Sequence, residues 1–528
     1  MESTDLNSGI ADSIMLHLSG RSLTLAEIYM AATGQHAPVL TNDAIVRIAS
    51  ARCVVETLVA NGQIVYGLNT GFGKLADVNV PPSAIEALQV NLVRSHSTGL
   101  GEPLSIPEVR AMMILRANVF ALGHSGVTVE LARTLLAMVD RGVYPRIPEK
   151  GSVGASGDLA PLAHLALGVI GEGISWFDGE WRPSAEALRL AGIAPVKLAA
   201  KEGLALLNGT QAMCAVGGLA LFRARCVTAL ADVAGAMSLE ALRGTPVAFD
   251  ARIQDARPHP GQRLVAARLR ALLADSEIRH SHETNDRRVQ DAYCLRCMPQ
   301  VHGAVRGALD HVKSVVEIET GSATDNPLIF ASADDLSAGE VLSGGNFHGA
   351  PLAFGFDYAA IVLTDLMSMS ERRTDRLINP DINEGLPPFL TPDPGTSSGF
   401  MMAQVCAAAL LNESKVLAHP ASVDSVPTSG GKEDHVSMGM TSALKLRQIA
   451  RNAEWVLAIE FILAAQGLDY RAPLRSSKPV ERAKQIVRSI VPALDADRPP
   501  APDIEAMAAA IRNGAFDEFV SAPGDWEP

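Results

Sequence analysis

Leu446-Arg447-Gln448-Ile449-Ala450-Arg451-Asn452-Ala453-Glu454-Trp455-Val456-Leu457-Ala458-Ile459-Glu460-Phe461-Ile462-Leu463 places an apolar residue every three or four positions. Leu446, Ile449, Ala453, Val456, Ile459 and Leu463 therefore share one face of a helix, because 3.6 residues complete a turn. The stretch 434–467 around them contains no proline, and neither does 210–243. A helix of about thirty residues reaches about 45 Å. Helices of that length bury their stripes by lying side by side, which predicts a bundle. Residues 356–378 and 399–418 supply two further candidates. No sustained Val/Ile/Thr alternation points to a large sheet. The fold class expected is mainly α.

Working outward, three regions are expected. Residues 1–205 are interrupted repeatedly by Gly and Pro, with helices predicted over 22–33, opened by Ser22 and Thr24 as caps, and over 107–122. Residues 206–480 form the central long-helix bundle. Residues 481–528 form a helical tail, in which Arg498-Pro499-Pro500-Ala501-Pro502 reads as a linker before a last helix at 503–513.

The chain has 528 residues, of which 48% are hydrophobic and 20% charged, with a net charge of -13. This composition suits a large buried core and excludes a disordered chain. The acidic balance, without a Lys/Arg cluster, argues against nucleic acid as a partner. Six scattered cysteines read as reduced thiols of a cytoplasmic protein. Cys294 and Cys297 have CxxC spacing, but no second pair completes a metal site, so no metal is expected. Met1-Glu2-Ser3-Thr4-Asp5 lacks the basic start of a signal peptide. The apolar stretches Trp455–Leu468 and Leu159–Ile174 are interrupted by charge, so no membrane span is expected.

The chemistry points to Gly151-Ser152-Val153-Gly154-Ala155-Ser156-Gly157-Asp158-Leu159-Ala160-Pro161-Leu162. Taken locally, four readings compete. A capped turn fits any such run of Gly, Ser and Asp. A nucleophile elbow needs GxSxG, and Asp158 stands where its last Gly belongs. A phosphate loop needs GxxxxGK[ST], which is absent here and fails around Tyr66–Lys74, where Leu68 replaces the first Gly. The fourth reading is a cyclisation. Attack of the Gly157 nitrogen on the Ala155 carbonyl closes a five-membered ring. Loss of water and of the Ser156 hydroxyl then leaves an exocyclic methylene conjugated to the ring carbonyl. Gly157 permits the close approach, Ser156 supplies the leaving hydroxyl, and Ala155 adds no bulk.

Beyond this segment, the blocks Tyr66-Gly67-Leu68-Asn69-Thr70-Gly71-Phe72-Gly73, Leu207-Asn208-Gly209-Thr210-Gln211, Gln290-Asp291-Ala292-Tyr293-Cys294-Leu295-Arg296-Cys297, Thr324-Asp325-Asn326-Pro327-Leu328 and Gly345-Asn346-Phe347-His348-Gly349 follow in order. Together with Gly151–Leu162 they resemble the histidine/phenylalanine/tyrosine ammonia-lyase family over about Val65 to Leu468. The resemblance implies the fumarase/aspartase-like helical bundle. It also implies a 4-methylideneimidazol-5-one (MIO) group made from Ala155, Ser156 and Gly157, with no external cofactor. In this family the ring captures the substrate amine. By the same resemblance Tyr66 is the base, Tyr293, Asn208 and Gln290 hydrogen-bond ring and substrate, Arg296 holds the carboxylate, and Phe347 packs beside the ring. A phenol with an ordinary pKa near 10 needs lowering or alignment to act as a base at neutral pH.

Substrate choice rests on two places. Ser95-His96 matches the family's selectivity pair in histidine lyases, where tyrosine lyases carry His-Leu and phenylalanine lyases Phe-Leu. Glu433-Asp434-His435-Val436-Ser437-Met438 also matches the histidine branch. The chemistry agrees: a carboxylate at Glu433 accepts a hydrogen bond from imidazole, but beside a phenyl ring it is a desolvation cost. L-histidine, converted to trans-urocanate and ammonia, is the implied substrate. The alternatives are a 2,3-aminomutase or tyrosine lyase using the same ring, and a non-catalytic bundle. Lys432 departs from the Gln usual in the family; it either pairs with Glu433 or points to solvent. The resemblance further implies a homotetramer with active sites shared among subunits.

Overall fold

The computed structural model describes residues 14–520, except 72, 74–77, 285, 287, 333, 336 and 337. Phe72 and the Met1–Asp5 start therefore lie outside the described residues. The chain is mainly α, as its periodicity predicts, and the strands pair only in twos and threes. Four long helices dominate: Gln211–Ala241, Met298–Thr320, Ala350–Ile378 and Gly439–Asp469.

The chain divides into two compact units, each assembled from three separate stretches. The first comprises 1–219, 313–356 and 421–444; the second comprises 220–312, 357–420 and 445–528. Each boundary falls within one of the long helices or beside a loop, so the sequence order does not follow the units.

In the first unit, short helices start where the chain supplies caps. Thr24 caps Leu25–Ala32 and forms a reciprocal box with Glu27, while Ser105 and Glu108 do the same for Ile106–Ala121. Strands Ile14–Leu18 and His36–Leu40 pair in parallel. Tyr144–Pro145, Ile174–Phe177 and Glu180–Pro183 form a three-stranded antiparallel sheet. Ala51, Val54, Val55, Leu68, Ile85, Ala200 and Ile329 form a buried cluster beneath the loop that begins at Tyr66.

In the second unit, Val456, Ile459 and Leu463 are fully buried, and so are Ala458, Phe461 and Ala464 on the other faces of the same helix. A helix buried on every side is a core helix. Glu460 lies on it without solvent access because Arg373 grips it with Nε at 2.6 Å and Nη2 at 2.9 Å, and the Ser238 hydroxyl adds a third bond at 2.8 Å. Nearby, burial opposes the charge of Asp232, but Arg306, His302 and Arg268 hold its carboxyl well below the usual range.

Some boundaries differ from the sequence expectation. Ala350–Ile378 begins six residues before the predicted 356, and Met298–Thr320 was not predicted. Its second residue, Pro299, sits in the first turn, where a missing N–H costs no helical bond. The Pro-rich linker is likewise short: Pro500 is the cap of Ala501–Arg512 and Pro502 lies in its first turn. Gln211–Ala241 and Ala350–Ile378, not weighed in the sequence, are long and apolar enough to cross a membrane by length and composition alone. Their most apolar windows are 78% and 61% buried in the protein, as core helices are.

Candidate active site

The tripeptide Ala155-Ser156-Gly157 occupies a turn between strand Pro148–Lys150 and helix Leu159–Val169. Gly154 and Gly157 both adopt left-handed backbone, with φ of 71° and 77°. A side chain at Gly157 would strike the Gly209 carbonyl, and one at Gly154 would strike the Ser437 hydroxyl. Gly157 pairs with Gly209 in an isolated parallel bridge, and the Asp158 N–H donates to the Gly209 carbonyl at 2.7 Å. Among the described residues the Gly157 amide nitrogen has no acceptor. A tightly packed glycine turn with an uncommitted amide nitrogen fits the residues that form an imidazolone ring.

Asp158 anchors this turn and was noticed in the sequence only as a misfit to GxSxG. It is fully buried, accepts the Met213 N–H at 2.7 Å, and takes the Ser152 hydroxyl at 3.0 Å. Burial lifts its carboxyl to about 7, against the pull of these donors at the start of the Gln211–Ala241 helix. The neighbouring Asn208 is held by Arg116, a fully buried cation whose guanidinium bonds the Asn208 carbonyl at 2.8 Å and the Gln211 amide oxygen at 2.5 Å. Burial lowers the Arg116 pKa to about 10. A single charge within the apolar run 111–121, between Leu115 and Ala117, was the signal that could have found it.

Glu433 meets the tripeptide directly. The Ser156 hydroxyl donates to Glu433 Oε1 at 2.8 Å, and the Thr428 hydroxyl donates to Oε2 at 2.8 Å. Tyr66 lies within reach of the same charge. Burial raises the phenol pKa, Glu433 raises it further, and a hydrogen bond with the Gly73 backbone opposes both. The phenol is therefore harder to ionise than a free tyrosine, the reverse of the lowering considered from sequence. Lys432 is exposed and forms no ion pair among the described residues, so of the two outcomes considered it takes the solvent-facing one.

Phe347 is half-buried, and the His348 that follows it stacks on His435 with ring centroids 5.7 Å apart and planes within 2°. This brings the Phe347 loop beside the Glu433 loop. His96 ends helix Ile85–His96, its Nδ1 shared with the Leu92 carbonyl at 2.9 Å and the Ser95 hydroxyl at 3.1 Å. It makes no hydrogen bond to the tripeptide among the described residues.

Tyr66, His96, Ala155, Ser156, Gly157, Asn208, Phe347 and Glu433 thus belong to the first unit, whereas Gln290, Tyr293 and Arg296 belong to the second. In that unit Tyr293 is 70% exposed, and the Arg296 guanidinium lies over its ring at 4.6 Å. Among the described residues, Asn208 Oδ1 and Arg296 Nε are both buried without a hydrogen-bond partner. Orphaned buried polar atoms of this kind are expected where a ligand completes the bonding. Cys294 and Cys297 are free thiols, and burial pushes the Cys294 thiol upward.

A family profile described as "Aromatic amino acid lyase" matches residues 23–489. The chain belongs to the aromatic amino acid lyase family. It is 52% identical over 506 residues to a histidine ammonia-lyase of Koribacter versatilis, covering 94% of this chain and 98% of that one. Among solved structures it resembles histidine ammonia-lyase from Trypanosoma cruzi, with 43% identity, 96% and 95% coverage and a TM-score of 0.88. It also resembles tyrosine aminomutase from Streptomyces globisporus, with 37% identity, 97% and 100% coverage and a TM-score of 0.90.

Proposed function

We propose that this lyase deaminates L-histidine without oxidation, giving trans-urocanate and ammonia. The observation that carries the reading is the 2.8 Å hydrogen bond between Ser156 and Glu433. It puts a carboxylate suited to an imidazole beside the residue from which the electrophile arises. The MIO group formed from Ala155, Ser156 and Gly157 supplies the electrophile that captures the amine.

The remaining chemistry falls to the chain's own groups. Glu433 accepts the imidazole N–H or pairs with imidazolium, and His96 lines the selectivity position. Arg296 grips the substrate carboxylate through a bidentate fork, with Asn208, Gln290 and Tyr293 supplying hydrogen bonds and Phe347 packing beside the ring-forming turn. Tyr66 takes the β proton. With its pKa raised, its contribution lies in alignment and close approach, not in ready ionisation.

A homotetramer with shared sites fits two features. Tyr358, Ile361, Met402, Val405 and Val416 leave apolar side chains exposed on two long helices, and Tyr293 is mostly exposed. Free cysteines support a cytoplasmic location.

The structural likeness to an aminomutase keeps one rival, return of the amine to the β carbon. Incubation with histidine, tyrosine and phenylalanine, followed by absorbance of the unsaturated acids and analysis of amino-acid products, separates the readings. Urocanate as the major product supports the lyase. A β-amino acid as the major product overturns it.

A further inference from the structure

Thr428 and Glu433 close a six-residue loop. The Thr428 N–H donates to the Glu433 carbonyl at 2.8 Å, and the two residues form an isolated antiparallel bridge. Between them Ser429, Gly430 and Gly431 all have left-handed backbone, with φ of 52°, 64° and 83°. Ser429 bears a side chain in a conformation that favours glycine, and its hydroxyl would lie 2.6 Å from a Cβ at Gly73 of the Tyr66 loop. Strain of this kind persists where the surroundings over-determine a turn.

The backbone bridge already closes this loop, so the Thr428 hydroxyl is not needed for closure. It donates instead to Glu433 Oε2 at 2.8 Å. Among the described residues, the Glu433 carboxylate is held by two neutral hydroxyls, those of Thr428 and Ser156, and by no cation. Lys432, its chain neighbour, points to solvent. A cationic clamp would orient the carboxylate equally well but would cancel the charge an imidazolium needs. A hydroxyl orients it and leaves the charge intact.

We propose that Thr428 is a positioning residue for substrate selection: its hydroxyl fixes Oε2 of Glu433, which directs Oε1 toward Ser156 and the imidazole of the substrate. The proposal rests on the assignment of Glu433 to the imidazole. A hydrogen bond to a charged group is worth about 1.5–3 kcal/mol, a factor of about 10 to 150. Thr428→Val, which keeps shape and removes the donor, should lower kcat/KM for histidine within that range, and Thr428→Ser should restore most of it. In a Glu433→Gln background the same Thr428→Val change should have little further effect, because its path to substrate is gone. Equal losses in both backgrounds, or a Thr428→Val enzyme as active as its parent, would overturn the proposal. Should Glu433→Gln itself leave kcat/KM for histidine unchanged, the assignment of Glu433 fails instead. Thermal unfolding of each variant separates these losses from misfolding.

Discussion

Met213 donates its backbone N–H to Asp158 Oδ2 at 2.7 Å, fastening the residue after the tripeptide to the first turn of a helix of 31 residues. The carboxyl is buried, and its pKa rises from 3.8 to about 7. A group raised in this way stabilises the fold fully at low pH, and its contribution is lost as pH rises through the folded value. Stability should fall between about pH 4 and about pH 7, by an amount on the order of 4 kcal/mol at most. Urea unfolding at about pH 5 and about pH 8 measures this dependence. Asp158→Asn should flatten it, and an unchanged dependence would contradict the assignment.

Ser156→Ala removes the leaving hydroxyl while changing little volume at a half-buried site. Turnover of histidine should drop by at least about a thousandfold, as when a covalent group is deleted, with the fold intact. Intact mass should show the parent enzyme lighter than its encoded sequence by two waters and the variant retaining its Ala155 carbonyl oxygen. Undiminished turnover would rule out the ring.

Lys432 is exposed and unpaired with Glu433. Lys432→Gln should therefore leave kcat/KM for histidine within about twofold, the ordinary scale of surface charge changes. A tenfold effect at low salt would show that the lysine reaches the site.

Arg296→Lys keeps charge but loses the planar fork and its stacking on Tyr293, 4.6 Å away. The KM for histidine should rise about tenfold or more with a smaller change in kcat, since carboxylate binding is common to substrate and transition state. Steady-state kinetics decides it; an unchanged KM would move the carboxylate contact to another residue.

The long helices were legible because a repeat of 3.6 residues survives in any helix with one buried face. The stripe of Leu446, Ile449 and Ala453, set against the more exposed Arg447, Gln448 and Arg451, shows this directly, before the helix becomes buried on every side. Met298–Thr320, with Pro299 in its first turn, had no counterpart among the helices expected from sequence. The interleaving of the two units was also hidden, since a division made along the chain cannot show stretches 200 residues apart packing as one body. At the site, motif blocks picked out the residues proposed to act on substrate, whereas those that hold them carry no comparable signature. Arg116, Asp158 and Thr428 act through backbone carbonyls, amide groups and a single carboxylate, contacts that depend on tertiary approach. The direction of the Tyr66 pKa was equally out of reach, because it follows from burial and from a charge more than 360 positions away.

One atom, Oε1 of Glu433, accepts the Ser156 hydroxyl. The cyclisation proposed for Ala155, Ser156 and Gly157 releases that hydroxyl as water. On that proposal the oxygen loses one donor and gains acceptor capacity for an imidazole N–H, while the Thr428 hydroxyl still holds the other carboxylate oxygen.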